Sequence, residues 1–215
     1  MKRRHCNALL CALLAAGTFQ AAFAQAKAST KVLVVGDSIS AEYGLRRGSG
    51  WIQLLQNHFD QEKRPVRLIN AGISGDTTSG GRSRLPALLR QHQPAVVVIE
   101  LGANDALRGL PLAMTRDNLT AMTRASKEAG AKVLIVGMQV PPNYGGQYTR
   151  DFQALFKQVA EAEKTALVPF LLKGVADQPD PTALFQEDRI HPNETAQPTL
   201  AANVWPALTA LLPKR

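Results

Sequence analysis

Five short runs of apolar residues recur along the chain, separated by longer stretches in which apolar positions follow helical spacing. The central runs, AVVVIEL and VLIVGM, are almost continuously apolar, which is typical of strands that a parallel sheet buries on both faces. The five strands that this pattern predicts are Lys31–Gly36, Val66–Asn70, Ala95–Leu101, Lys132–Met138 and Ala166–Val168.

The stretches between the strands predict helices. In one of these stretches, the apolar residues Phe152, Leu155, Phe156 and Val159 repeat at i, i+3, i+4 and i+7. Thr149 is placed as the N-cap of that helix. Thr115 is placed to cap an earlier helix that ends at Gly130, and a last helix is expected over residues 196–211 with Pro206 as a kink or stop. Because strands and helices alternate, we expect an α/β fold, a three-layer α/β/α sandwich around a five-stranded, mostly parallel sheet.

The first 24 residues have the three parts of a secretory signal peptide. A basic start (MKRRH) precedes an apolar stretch (CNALLCALLAA) and the A-x-A cleavage signal AFA. We therefore expect a signal peptide over residues 1–24, a single domain over residues 25–215, and export to the periplasm or beyond. Both cysteines of the chain lie in this leader, so the mature protein has none to form a disulfide, bind a metal or act as a nucleophile.

The charge of the chain restricts its partners. The formal net charge is +8, and removal of the three leader cations reduces it to +5. The remaining arginines are scattered rather than interleaved with aromatic residues, so the sequence predicts no nucleic-acid partner. We expect a monomer that acts on a small molecule and makes at most transient contact with a membrane surface.

Polar residues follow the predicted strands at the point where each strand ends. The first strand is followed by Gly-Asp-Ser, the second by NAGISGD, the third by GAND, and the loop before the last helix reads DRIHP. In open parallel sheets, ligands bind at the carboxyl ends of the strands. The sequence therefore predicts a functional site at this edge.

Ser38 is a candidate nucleophile, which needs a base because a free hydroxyl is weakly nucleophilic at neutral pH. His191 lies in a loop three residues after Asp188. That spacing lets the carboxylate bind one imidazole nitrogen while the other faces the serine, and so fixes the tautomer of the imidazole. The pattern favours Ser38, His191 and Asp188 as nucleophile, base and orienting acid.

Acyl transfer also requires donors for the oxyanion. Gly75 and Ser38 are candidates through their backbone N–H groups, and Asn104 through its side-chain amide; we expect the Ser38 N–H to lie at a helix N-terminus. Each signal alone is also typical of a turn or a helix cap. Asp37 is interpreted as a structural residue that buttresses the turn.

These residues lie in motifs that resemble the blocks of the SGNH hydrolases of the GDSL class: GDSIS, NAGISGDT, LGAND and DRIHP. The similarity extends over the mature chain, which resembles the small exported bacterial branch of lysophospholipases, arylesterases and acyl-CoA thioesterases. The resemblance implies a flavodoxin-like SGNH fold and a serine esterase that hydrolyses aryl or short-chain esters, lysophospholipids and acyl thioesters. It implies no metal and no organic cofactor.

Three residues depart from the family pattern. Ile39 replaces a leucine, which leaves the nucleophile unaffected. Ala103 and Arg189 stand where relatives usually have glycine. We expect Ala103 to narrow the site or to restrict that loop, and Arg189 to alter the rim and favour acidic or zwitterionic head groups.

The acyl chain is expected to lie against the connection PPNYGGQYTR, a long loop that would form a mobile wall with Pro142 and Tyr144. Leu107 and Leu110, close to Asn104 in the sequence, are candidates for the same slot.

Three alternatives remain at this stage. A carbohydrate O-acetylesterase would use the same machinery with a smaller pocket. A non-catalytic ligand-binding protein of flavodoxin-like fold would use the same edge of the sheet, but the phosphate-binding motifs GxxxxGK[ST] and GxGxxG are absent from the first strand turn. A metal-dependent phosphatase would leave Ser38 and Asn104 without a role.

Overall fold

The structure is a computed structural model that describes residues 29–180 and 182–213. It contains one sheet with the strand order β2-β1-β3-β4-β5, and every pairing is parallel. The strands are β1 (Thr30–Gly36), β2 (Val66–Asn70), β3 (Val96–Glu100), β4 (Lys132–Val136) and β5 (Ala166–Val168). The predicted strands are therefore confirmed, with ends that differ by at most two residues. The predicted signal peptide, residues 1–24, lies outside the described residues.

Helices cover both faces of the sheet. They are α1 (Trp51–Gln61), α2 (Thr78–His92), α3 (Ala103–Leu107), α4 (Leu112–Glu128), α5 (Gly146–Ala162) and α6 (Gln197–Leu211). Helices α1 and α6 pack together on one face, while α4 packs between α2 and α5 on the other. The expected three-layer α/β/α sandwich is confirmed. No helix in residues 29–180 and 182–213 is long and apolar enough to cross a membrane.

The two central strands explain why the sheet needs helices on both faces. All five residues of β3 and the last five residues of β1 are buried, so neither strand has a face that could remain in water. The apolar residues of the helices complete this core, with Phe152 and Phe156 of α5 packed edge to face. A rigid core therefore fixes the positions at which the strand ends leave the sheet.

Two predicted helix caps are wrong. Helix α5 begins three residues before Thr149. Gly145 at its N-cap has a positive φ of 95°, which is not a helical conformation, so the helix starts directly after it. Helix α4 begins after Pro111, whose fixed φ and missing N–H suit a helix start, and Thr115 lies buried inside it.

Two predictions for helix ends have different outcomes. Gly130 follows the C-cap of α4 with a φ of +84°, which confirms it as the glycine after the helix. Pro206 does not stop α6, which continues to Leu211; the Thr209 hydroxyl donates to the Trp205 carbonyl, 2.8 Å away, beside the proline.

Candidate active site

Ser38 lies in a turn that follows β1. The Ala41 N–H donates to the Asp37 carbonyl (2.9 Å) and the Tyr43 N–H to the Ser38 carbonyl (3.1 Å). The chain then adopts a positive φ at Glu42 (59°) and Gly44 (68°), so this segment does not continue as a helix. The expected helix N-terminus at Ser38 is therefore wrong, and no helix dipole acts on its N–H.

Asp37 holds this turn from within. Its carboxylate accepts the Ile39 N–H at 3.1 Å and lies 3.3 Å from the Asn104 side-chain nitrogen. The side chain is almost fully buried, and this burial raises the pKa of Asp37 to about 6. These contacts agree with the interpretation of Asp37 as a buttress of the turn.

His191 joins Ser38 to Asp188. Its Nε2 lies 2.9 Å from the Ser38 Oγ, and its Nδ1 lies 2.6 Å from an Asp188 carboxylate oxygen. The other carboxylate oxygen accepts the backbone N–H groups of Ile190 (2.9 Å) and His191 (3.0 Å). The loop that carries the histidine is thus folded around the carboxylate, and Tyr43 packs against the imidazole with ring centroids 4.5 Å apart.

The charge of Asp188 determines the tautomer of His191. Partial burial alone would raise the pKa of Asp188, but the hydrogen bonds from His191 and Ile190 outweigh it and lower the pKa to about 2. An ionised carboxylate only accepts hydrogen bonds, so the Nδ1 carries the proton of a neutral His191. Its Nε2 is then free to accept the Ser38 hydroxyl proton.

The three predicted oxyanion donors lie next to one another. The Asn104 amide donates to the carbonyl of Asp76 at 2.9 Å and approaches Asp37, so it bridges the residue after Gly75 and the residue before Ser38. Within the described part of the chain, the N–H groups of Ser38 and Gly75 donate no hydrogen bond. Both N–H groups are therefore available as donors, one on the nucleophile itself and one on the residue before Asp76.

Gly75 needs to be a glycine at this place. Its φ is +77°, in the left-handed region that disfavours side chains. The Arg108 guanidinium donates to the Gly75 carbonyl at 2.6 Å and so links this loop to the segment that follows Asn104.

A buried hydrogen-bond cluster ties the two oxyanion loops together. The Asp105 carboxylate, beside Asn104, accepts the backbone N–H of Thr78 at 2.8 Å and also the Thr78 hydroxyl. It also accepts the Thr115 hydroxyl at 3.2 Å. Sequence reasoning missed this role, because Asn-Asp is also an ordinary turn pair; the apolar surroundings of the motif were the available signal.

Glu100 was also missed. It is fully buried at the end of β3, where one carboxyl oxygen accepts the Ser40 hydroxyl at 2.7 Å and the Asp37 N–H at 3.3 Å. Its other oxygen is buried without a hydrogen-bond partner. Burial, and after it the nearby charge of Asp37, raise the pKa of Glu100 well above its usual range. The lone acid within the apolar run AVVVIEL was the signal that could have found it.

The residues predicted to line the acyl slot differ in exposure. Leu107 and Tyr144 are exposed and Leu110 is half-buried, and the Tyr144 ring stacks on Tyr148 at 6.5 Å. Pro142 begins a short 3-10 helix, Pro142–Tyr144, and its side chain lies outside the described part of the structure. The long loop expected here is wrong in its second half, because α5 already begins at Gly146.

The structure also locates the two residues, Arg189 and Ala103, that replace glycines of the family pattern. Arg189 has a φ of +56°, a conformation that glycine adopts without strain, so the arginine costs some backbone energy there. Ala103 begins α3 and is partly buried against the core. In residues 29–180 and 182–213, no three His, Cys, Asp or Glu side chains are grouped so that they could hold a metal ion.

Comparison with known proteins gives concordant matches. The model of the GDSL-like lipase/acylhydrolase family matches residues 34–197. The esterase TesA of Pseudomonas aeruginosa is 50% identical over 188 residues, which are 87% of this chain and 92% of that protein. The thioesterase 1/protease 1/lysophospholipase L1 of Escherichia coli is 39% identical over 177 residues, 82% of each chain.

A solved structure extends the agreement to the fold. The psychrotrophic esterase EstA from Pseudoalteromonas sp., inhibited by monoethylphosphonate, has a TM-score of 0.79 at 40% identity, with 85% of this chain and 98% of that one covered. The fold and the matches define a hydrolase of the SGNH type. The chain belongs to the GDSL-like lipase/acylhydrolase family, so the resemblance of its motifs is confirmed.

The burial of Glu100 leads to a test by pH. Because its folded pKa is raised, the native state holds this proton more tightly than the unfolded chain, and Glu100 lowers stability as pH rises above its ordinary value of 4.5. Glu100→Gln keeps an acceptor for Ser40 without the ionisation. We expect the free energy of unfolding of this variant, relative to the wild type, to increase between pH 4.5 and pH 8 in urea denaturation.

Two control variants complete this test. Glu128→Gln removes an exposed carboxylate of α4 and should leave the pH dependence unchanged. Glu100→Ala leaves the Ser40 hydroxyl and the Asp37 N–H without their acceptor and should cost about 2–4 kcal/mol. A Glu100→Gln protein with the pH dependence of the wild type would contradict the role assigned to this proton.

Proposed function

We propose that this chain is a serine esterase that hydrolyses single-chain acyl esters through an acyl-enzyme on Ser38. The observation that carries the proposal is the hydrogen-bonded line from the Asp188 carboxylate through both imidazole nitrogens of His191 to the Ser38 hydroxyl. Neither a turn nor a helix cap requires a histidine base at the serine. A complete base and an orienting acid are what acyl transfer requires.

In the proposed first step, the Ser38 Oγ attacks the acyl carbonyl carbon while its proton passes to the His191 Nε2. The carbonyl oxygen becomes an oxyanion, which the N–H groups of Ser38 and Gly75 and the Asn104 amide stabilise. Collapse of this intermediate breaks the bond to the leaving group, which takes the proton from His191. The ionised Asp188 stabilises the imidazolium between the two proton transfers.

In the second step, water replaces the leaving group. His191 removes a proton from the water as it attacks the ester carbonyl of the acyl-enzyme, and the same oxyanion donors act again. Collapse releases the carboxylic acid and returns the proton to Ser38. A thioester follows the same steps with a thiolate as leaving group, and no step requires a metal or a cofactor.

The proposed substrates are aryl and short-chain esters and lysophospholipids, with acyl thioesters as further substrates. The names of the relatives, an esterase and a thioesterase/lysophospholipase, support this class. We propose that the acyl chain lies along Leu107, Leu110, Pro142 and Tyr144, all on segments that follow the carboxyl ends of β3 and β4.

The test is a hydrolysis panel: p-nitrophenyl esters of graded chain length, a lysophospholipid, an acyl-CoA and an acetylated xylo-oligosaccharide. We expect turnover of the first two groups and slower release of acetate from the sugar. In Asp188→Asn, an amide that holds the wrong tautomer of His191 should lower kcat by about 10⁴ with the fold intact. Asp180→Asn, which alters an exposed carboxylate bonded to Thr182, is the matched control and should retain full activity.

Two results would refute the assignment. Near-full activity of Asp188→Asn would show that this carboxylate does not orient the base. A panel in which only the acetylated sugar is hydrolysed would favour the O-acetylesterase instead.

We propose that the protein is exported after cleavage between Ala24 and Gln25. The support is the sequence of the leader, with its basic start, apolar stretch and A-x-A signal. When the full chain is expressed in a Gram-negative host, the protein should be recovered from the periplasm or the medium with the mass of a chain that begins at Gln25. Ala24→Asp should block this cleavage, whereas uncleaved wild-type protein in the cytoplasm would refute the proposal.

A further inference from the structure

Large exposed apolar side chains are confined to one edge of the described part of the molecule. There are five, each between 38% and 52% exposed, and we call them the apolar rim: Tyr43, Ile73, Leu107, Tyr144 and Ile190. Four of them lie after the carboxyl ends of β1, β2, β3 and β4, and Ile190 precedes His191. No residue of this kind is exposed at the opposite edge of the described chain.

The apolar rim surrounds the candidate active site. Tyr43 packs on the His191 ring at 4.5 Å, and Ile190 is the neighbour of that histidine. Ile73 shares the loop of Gly75, and Leu107 ends the short helix that contains Asn104. Apolar side chains that remain in water around a polar site are typical of a surface that meets a partner.

The charges beside the apolar rim indicate the chemistry of that partner. Arg108 and Arg189 directly adjoin Leu107 and Ile190, are exposed, and form no ion pair with a carboxylate in the described chain. Two exposed acids, Glu187 and Asp188, precede Arg189 in the sequence; neither pairs with Arg108 or Arg189, and Asp188 binds His191 instead. Arg108 donates to the Gly75 carbonyl, but neither guanidinium charge is neutralised by a carboxylate of the described residues. Such unneutralised cations among apolar and tyrosine side chains match an anionic lipid surface, where head groups meet acyl chains.

We propose that the apolar rim docks onto the surface of an anionic lipid bilayer, with Ser38 facing the lipid. The rim residues come from five separate segments and point into solvent, so one slender acyl chain would leave most of them uncovered, whereas a flat surface covers them together. The net charge, +8 for the full chain and +5 once the three leader cations are removed, adds long-range attraction to an anionic surface. The function of this contact rests on the proposed esterase, because docking would deliver single-chain lipids to Ser38.

The test measures binding without hydrolysis. Ser38→Ala protein is sedimented with vesicles of phosphatidylcholine and phosphatidylglycerol (3:1), and separately with phosphatidylcholine alone, at low salt. We expect binding to the anionic vesicles to exceed binding to the neutral ones. In this background, Ile73→Gln with Ile190→Gln should weaken binding to the anionic vesicles about tenfold, because two apolar side chains lose their contact with lipid.

A charge variant tests the second element of the proposal. Arg189→Gln should weaken binding to anionic vesicles roughly fivefold and leave binding to neutral vesicles unchanged. Its matched control is Arg90→Gln, an exposed arginine near the end of α2, which should bind like the parent. Thermal unfolding of each variant checks that the fold is retained.

The outcomes separate docking from catalysis. Absence of binding at low salt, or rim variants that bind like the parent, would overturn the proposal. Equal binding to neutral and anionic vesicles would overturn its anionic part. Vesicle binding by Ser38→Ala together with no ester hydrolysis by the wild-type protein would support docking and refute only the esterase.

Discussion

The hydrogen bonds that the buried Glu100 carboxyl group makes with the turn after β1 are the interaction on which the site depends. Through them, the end of one central strand holds the Ser40 hydroxyl and the Asp37 N–H on either side of Ser38. The two strands are paired in register, with Gly36 opposite Glu100, so the turn begins at a position fixed by the core. Gly36 has no room for a side chain, because a Cβ there would lie 2.7 Å from the Glu100 carboxylate. Because this region is closely packed, the sheet fixes the position of the Ser38 hydroxyl group.

The other parts of the site are attached to the same frame by polar contacts. Asp105 binds the start of α2, and the Asn104 amide binds the carbonyl of Asp76, so two loops from different strands are joined to each other. The histidine loop is held differently, by one carboxylate that accepts two backbone N–H groups and the imidazole. Buried polar groups of this kind are stabilising only when their partners are in place. The same contacts that position the reacting groups therefore also favour a single arrangement of the loops.

Much of this arrangement could be predicted from the sequence, because its signals are local. The apolar runs gave the strands within two residues, and the polar residues after them indicated the edge at which Ser38, Asn104 and His191 meet. What could not be predicted depends on packing between distant segments. The role of Glu100 requires knowledge of which strand lies beside β1, and a buried acid and a strand-end acid look alike in a sequence. The cap at Thr149 was wrong because a glycine conformation four residues earlier decides where that helix begins.

The central claim is that Ser38 is the residue that reacts, and covalent labelling tests it most directly. Wild-type protein treated with a fluorophosphonate ester should gain the mass of one phosphonyl group, mapped to the peptide that contains Ser38. Ser38→Ala should gain none, because no other hydroxyl in the described chain lies within hydrogen-bonding distance of His191. A label that persists in Ser38→Ala, or that maps to another residue of the wild type, would contradict the account.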